Sequence, residues 1–160
     1  MTLSVKPAGF AHLDALAALH EAAFDDPWSA LALGELLITP GAFALLAERK
    51  RSLEAPQEPL GFIFCRAGGG ECEILTLAVL PAERRRGVAT ALLASALREV
   101  AARGSGAIFL EVAADNHAAC ALYERHGFAV VGRRAAYYRR ESGGDRDALV
   151  MRRALPHATV

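Results

Sequence analysis

Ile74-Leu75-Thr76-Leu77-Ala78-Val79-Leu80 runs through Pro81-Ala82-Glu83 into Arg84-Arg85-Arg86-Gly87-Val88-Ala89-Thr90. The first stretch is an apolar run closed by proline, the pattern of a buried strand. After Gly87, apolar residues at Val88, Leu92, Leu93, Ala96, Leu97 and Val100 recur at helical spacing, as far as Arg103-Gly104. A strand that turns at a glycine into a helix start makes an anion site. The helix N-terminus offers unpaired N–H groups and the positive end of its dipole. Gly87 and Ala89 are small enough to admit a phosphate close to the backbone, and the three arginines add positive charge beside it. No Gly-Lys-Ser/Thr follows, so this is not a P-loop, and G-x-G-x-x-G is absent.

The rest of the chain is read outward from that centre. Downstream, residues 107–112 form a buried strand and 116–126 a helix closed by Gly127 in a left-handed cap. Strands follow at 128–131 and 148–152. Upstream, residues 3–6 form a short edge strand. Leu13, Leu16, Ala17, Leu19 and Ala23 mark an amphipathic helix over 10–24, ended by Asp25-Asp26-Pro27. Ser29 caps a second helix to about Leu37. Thr39-Pro40-Gly41 turns the chain into strands 42–48 and 60–66, joined by a polar loop, and Gly68-Gly69-Gly70 leads into the strand 73–80. The order is β-α-α-β-β-β-α-β-α-β-β, an α/β domain with a mixed sheet. No internal repeat or linker marks a second domain, so residues 1–160 read as a single one.

Composition narrows the function. The 160 residues carry zero formal net charge, which gives no global case for binding nucleic acid or a membrane. Three cysteines, Cys65, Cys72 and Cys120, form no C-x-x-C pair. That argues against a disulfide framework or a metal site and favours a reducing cytoplasm. Residues 28–47 are apolar but interrupted by Glu35 and by Thr39-Pro40-Gly41, too broken for a membrane span. The N-terminus lacks signal-peptide architecture. His20, His117 and His126 are expected at the surface, and Cys120 as small core filler.

A second block carries chemistry: Leu110-Glu111-Val112, then Asn116, then Leu122-Tyr123-Glu124, then Gly127-Phe128. Asn116 and Tyr123 lie seven residues apart on one helix face, and Glu111 ends the strand feeding that helix. A carboxylate, an amide and a phenol thus reach one edge of the sheet. Taken alone, Glu111 serves equally as a cap or an arginine partner, Tyr123 as a core aromatic, and Asn116 as an N-cap.

The arginine loop, as Gln/Arg-x-x-Gly-x-Gly/Ala, resembles the pyrophosphate loop of the GNAT N-acetyltransferases, and the general likeness covers residues 73–128. Three further stretches extend it to about 27–153: Pro27-Trp28-Ser29, Arg133-Arg134-Ala135-Ala136-Tyr137-Tyr138 and Asp147-Ala148-Leu149-Val150-Met151. With L-E-V-x-x-x-N-x-x-A-x-x-L-Y-E-x-x-G-F over 110–128, they resemble the ribosomal-protein alanine N-acetyltransferase branch, the RimI type. The loop departs from that branch in its arginines and in Ala89, where glutamines and a second glycine are common.

The resemblance implies a mostly antiparallel mixed sheet, splayed between its fourth and fifth strands and flanked by helices. It implies acetyl-coenzyme A as cosubstrate, with no metal. The backbone from Arg84, Arg85, Arg86, Gly87, Val88, Ala89 and Thr90 would bind the pyrophosphate. Leu77, Ala78 and Val79 would pair with the pantetheine arm, and a bulge there would free an N–H for the oxyanion. Asn116 would assist that arm or a water relay. Glu111 would act as general base and Tyr123 as general acid. Trp28, Tyr137 and Tyr138 would line the acceptor site. The implied partner is the N-terminus of a small-subunit ribosomal protein, in the cytoplasm. The alternatives are another N-terminus, a lysine, a small amine (Asp25, Asp26 and Glu35 being the acidic candidates) or a coenzyme A-binding module without turnover.

Overall fold

The computed structural model describes residues 2–140 and 144–156, with side chains described for 2–135 and 147–156. Among the described residues, seven strands and four α-helices follow in the expected order. They are β1 (Thr2–Ala8), α1 (Leu13–Ala23), α2 (Ala30–Ile38), β2 (Ala42–Lys50), β3 (Glu58–Gly68) and β4 (Glu71–Val79). Then come α3 (Val88–Ala102), β5 (Ala107–Ala113), α4 (His117–Arg125), β6 (Ala129–Arg140) and β7 (Gly144–Ala154). The two last strands run well beyond the lengths expected from the sequence. They form one long antiparallel ribbon whose outer parts are rich in arginine, glycine and aspartate, so no apolar run announces them.

The sheet order is β1-β2-β3-β4-β5-β7-β6, antiparallel throughout except for the parallel pair β4–β5. Each face of the sheet buries its own core. Phe43, Leu45, Ile63, Ile74, Val79, Leu110, Val112 and Met151 pack under α3 and α4. Ala44, Leu46, Phe62, Phe64 and Ala78 pack under α1 and α2. Consecutive residues of β2 and β3 therefore go to opposite cores, as the two-residue pleat requires, and both strands are apolar on both faces. In α3, Val88, Leu92, Leu93, Ala96 and Val100 are all buried, the stripe the sequence spells. Ser29 Oγ accepts the Ala32 N–H at 3.1 Å and starts α2.

Two irregularities of β4 shape the site. The register with β3 shifts between Phe64 and Cys65: Phe64 faces Thr76, Cys65 faces Ile74, and Leu75 is the extra residue. The expected bulge within 77–79 therefore sits earlier, at Leu75. It turns Leu75 and Thr76 toward the same face, that of α1, and so sends Leu77 and Val79 to the α3 side. Second, β4 pairs with β5 only from Glu71–Ile74 to Ala107–Leu110. Beyond that point β4 stays with β3 and β5 with β7, so the sheet parts into a slot.

Candidate active site

The slot has a backbone wall. Leu80 N–H donates to Leu60 O at 2.9 Å, in register with Ala78 opposite Phe62. In an antiparallel ladder, alternate residues aim both backbone groups at the same neighbour. Leu77 and Val79 therefore aim theirs away from β3, into the slot, while Ala78 faces β3. Below the slot, Pro81–Glu83 makes one 3-10 turn, and Arg84, Arg85, Arg86 and Gly87 follow, all exposed. Arg85 (φ 63°) and Gly87 (φ 84°) both adopt left-handed backbone, and Gly87 is the N-cap of α3. Such a run of turned peptides ahead of a helix makes an anion-binding concavity. Val88 anchors the loop in the core, Ala89 is half-buried and Thr90 is exposed.

The loop's approach is fixed by ion pairs that the sequence did not disclose. Glu83 is buried and meets Arg49 Nη1 of β2 at 3.0 Å. The same guanidinium holds Glu58 at 2.8 Å, and Arg51 also reaches Glu58. Hydrogen bonds from these two arginines push the Glu58 carboxyl below its ordinary range. Arg84 Nη2 reaches Ala23 O at 3.4 Å, tying the loop to the end of α1. An arginine inside a strand that is otherwise buried was the available signal.

The acid and base expected from the sequence reach one edge of the sheet from opposite faces. Leu110 and Val112 belong to the α3–α4 core, so Glu111 between them lies on the α1–α2 face. There it is half-buried, its Oε1 2.9 Å from Arg134 Nη2 of β6. Tyr123 is buried in the opposite core, its ring edge-on to Phe128 at 5.6 Å between centroids. Asn116 caps α4, its Oδ1 accepting Ala119 N–H at 3.2 Å. Cys120 is half-buried against the same core.

On the α1–α2 face, one expectation is corrected. His20 is 3% exposed rather than superficial, because α1 turns it toward the sheet on the same stripe as Leu16. It lies between Phe24 and Trp28, with ring centroids at 4.4 and 4.9 Å. Its Nδ1 accepts Trp28 N–H at 2.9 Å, and its Nε2 lies 3.2 Å from Thr76 Oγ1. Nδ1, being an acceptor, carries no proton, so Nε2–H donates to Thr76. Burial pushes the imidazole pKa below its ordinary value. His126 is half-buried and similarly lowered, while His117 is exposed as expected. Trp28 is half-buried at the rim of this core. Tyr137 and Tyr138 lie on β6, and their side chains are outside the described ones. No group of three or more metal-ligating side chains comes together among the described residues, and no helix there is long and apolar enough to cross a membrane.

A sheet parted beside a parallel strand pair, with an anion loop at the next helix, defines an acetyl-coenzyme A-dependent N-acetyltransferase fold. The chain belongs to the acetyltransferase (GNAT) family, whose pattern matches residues 13–128. Among relatives, it is 40% identical to N-alpha-acetyltransferase RimI of Mycobacterium tuberculosis over 131 residues, 81% of this chain and 77% of that protein. It is 41% identical to the ribosomal protein bS18-alanine N-acetyltransferase of Escherichia coli K12 over 86 residues, 54% of this chain and 56% of the other. Other relatives are longer: the match spans 21% of an uncharacterized Mycobacterium leprae protein and 22% of a mycothiol acetyltransferase from Clavibacter michiganensis. The crystal structure of the E. coli S18-alanine enzyme superposes with a TM-score of 0.88 at 25% identity, covering 99% of this chain and 97% of that one. Arabidopsis thaliana NAA60 with a bisubstrate analogue gives 0.83 at 20% identity, covering 98% and 100%, which shows the shared fold.

Proposed function

We propose that this single domain is a cytoplasmic protein N-α-acetyltransferase of the RimI type, acting on the N-terminal alanine of a small-subunit ribosomal protein. The observation that carries the reading is the placement of Glu111 and Tyr123 on opposite faces of the sheet where β4 leaves β5. An acceptor arriving on the α1–α2 face would meet a carboxylate, and a departing thiol on the α3–α4 face would meet a phenol. The relatives named for this activity share the chain's fold and much of its sequence.

Acetyl-coenzyme A supplies the activated acetyl thioester. The parted strands fit it, because Leu77 and Val79 turn their backbone groups into the slot where a pantetheine amide could pair like an added strand. The left-handed turns at Arg85 and Gly87 and the start of α3 fit its pyrophosphate, from Arg84 through Thr90. Asn116 Oδ1 takes the helix cap, which leaves its amide NH₂ as a donor for the cofactor arm. Trp28 and the Tyr137–Tyr138 stretch of β6 would border the acceptor.

The chemistry asks little of the protein. An α-ammonium of pKa about 7.7–8.0 is mostly protonated at neutral pH, and Glu111 would take its proton directly or through water. The freed amine forms the N–C bond as the C–S bond breaks. A backbone N–H in the slot would steady the charge developing on the carbonyl oxygen; Tyr123 would give a proton to the sulfur, and the proton the nitrogen loses as the amide forms would restore the phenol, directly or through water.

The test is thiol release from acetyl-coenzyme A with a short peptide beginning in alanine, against the same peptide with a blocked N-terminus. Turnover on the free peptide alone is the expected result. Equal turnover on a blocked peptide containing lysine would move the acceptor to a side chain and overturn the reading.

A further inference from the structure

We propose that His20, as a neutral imidazole, is the positioning residue that sets the acceptor lip by clamping Trp28 against β4. The proposal rests on the reading of Trp28 as part of the acceptor site. The geometry makes it specific. His20 touches both the lip and the strand beside the slot: Nδ1 takes the Trp28 N–H and Nε2–H goes to Thr76 Oγ1. Its ring stacks on the indole at 16° between planes and on Phe24 at 29°. Thr76 can serve as partner only because the bulge at Leu75 turns it toward α1. A shift of this ring therefore moves Trp28 relative to β4 without touching the cofactor wall at Leu77 and Val79.

The clamp works in one protonation state. A protonated imidazole has two donors and no acceptor, so it would face the Trp28 N–H donor to donor. The groups facing the ring are Phe24 from its own helix, Trp28 from the loop, Phe62 from β3 and Thr76 from β4. None of them carries a charge or titrates near neutrality, so no counter-ion shelters an imidazolium there. Asp25 and Asp26 follow on the chain but are exposed.

Two readouts on the intact protein test this. Trp28 is the only tryptophan, so its emission reports the clamp without turnover. Imidazolium quenches a stacked indole, so emission should drop as the pH falls through a midpoint below about 6.5. That step should vanish in His20→Phe, which keeps the stack, and in His20→Asn, which keeps an acceptor at the δ position. In turnover, His20→Phe should raise the acceptor peptide's KM about fivefold, the worth of one hydrogen bond. KM for acetyl-coenzyme A should hold, and His20→Asn should restore the peptide KM. A step that survives in His20→Phe, or its absence from the parent protein, would overturn the clamp. Parallel loss of both KM values and kcat would make His20 merely structural. Because emission is read without substrate, failure of the acetyltransferase assay would not mimic failure of the clamp.

Discussion

Arg134 of β6 reaches across β7 to place its Nη2 2.9 Å from Oε1 of Glu111 on β5. The register makes this possible: Glu111 faces Val150 and Arg134 faces Ala148, so all four side chains share one face. The carboxylate proposed as base therefore already holds a cation where an acceptor ammonium would dock. Glu111→Gln should lower kcat by about 10²-fold or more at pH 7. The deficit should narrow as the pH passes the amine's own pKa of about 7.7–8.0, because solvent then supplies free amine. Arg134 is 56% exposed, so its pair with Glu111 is worth about 1 kcal/mol at most. Arg134→Met should then change the rate by no more than about fivefold. Parallel pH–rate profiles of the three proteins decide it: a deficit constant across pH would reduce Glu111 to an orienting role.

Tyr123 separates chemistry from packing. Its ring is buried beside Phe128, and phenylalanine at this position preserves that contact. Tyr123→Phe should cut turnover by about 10²–10⁴-fold, the usual worth of a positioned proton donor. The dissociation constant for coenzyme A and the melting temperature should stay close to those of the parent. Loss of affinity and stability together with turnover would show that the hydroxyl serves the core.

Which parts of this were legible in the sequence follows from what periodicity can carry. The stripe of α3, the double-sided apolar runs of β2 and β3, and the Ser29 and Asn116 caps are local patterns, and each element stands where they put it. The slot is not local. It depends on β4 and β5 parting after Ile74 and Leu110, which resemblance implied and spacing could not. The bulge was expected, but two residues late, because a shift in pairing register leaves no mark on composition. His20 was read as superficial although it continues the stripe of Leu16, since a polar residue on an apolar face looks like an interruption until its partners are known. Those partners, Trp28 N–H and Thr76, lie in two other elements. Arg49, Glu58 and Glu83 are similarly far apart in the chain. Roles for Glu111, Tyr123 and Asn116 came only through the family likeness; as residues, each had a structural alternative, and for Asn116 the cap is what the structure displays.

Gly87 should prove indispensable for conformational reasons. At φ 84° a side chain costs about 1–2 kcal/mol, although an added Cβ would meet no atom within 4 Å. Gly87→Ala should therefore fold, with a melting temperature lower by about 2–8 °C. The larger effect should fall on acetyl-coenzyme A, whose KM should rise as the methyl crowds the anion loop. Calorimetry beside a cofactor titration separates the two; an unchanged KM would place the pyrophosphate elsewhere.

Glu83 should matter more than its charge suggests. It stands just before the loop and takes Arg49 at 3.0 Å in a buried setting, with Arg86 more remote at 3.9 Å. Removing Glu83 leaves the Nη1 side of a buried guanidinium without its carboxylate, while Glu58 still holds the Nη2 side. Glu83→Gln should lower the melting temperature more than Arg86→Gln does and should weaken acetyl-coenzyme A binding. An acetyl-coenzyme A affinity equal to the parent's, despite lowered stability, would show that the ion pair does not hold the loop.

Acid should destabilise the fold through His20 and His126. Burial lowers the pKa of both His20 and His126 relative to the unfolded chain, where it is about 6.5. Between the two values the unfolded state binds protons that the native state refuses, so stability rises with pH through that window and is level above it. Acidifying from pH 7 should therefore lower the melting temperature progressively below about 6.5, until the folded-state pKa values are passed. His20→Asn should flatten part of that slope, since His20 is the more buried of the two, and the rest falls to His126, which the charges of Arg153 and Arg125 lower further. Melting curves from pH 7.5 to 5 in constant ionic strength measure it directly. A slope that His20→Asn leaves untouched would assign the acid sensitivity to His126 and deny that the clamp depends on a neutral ring.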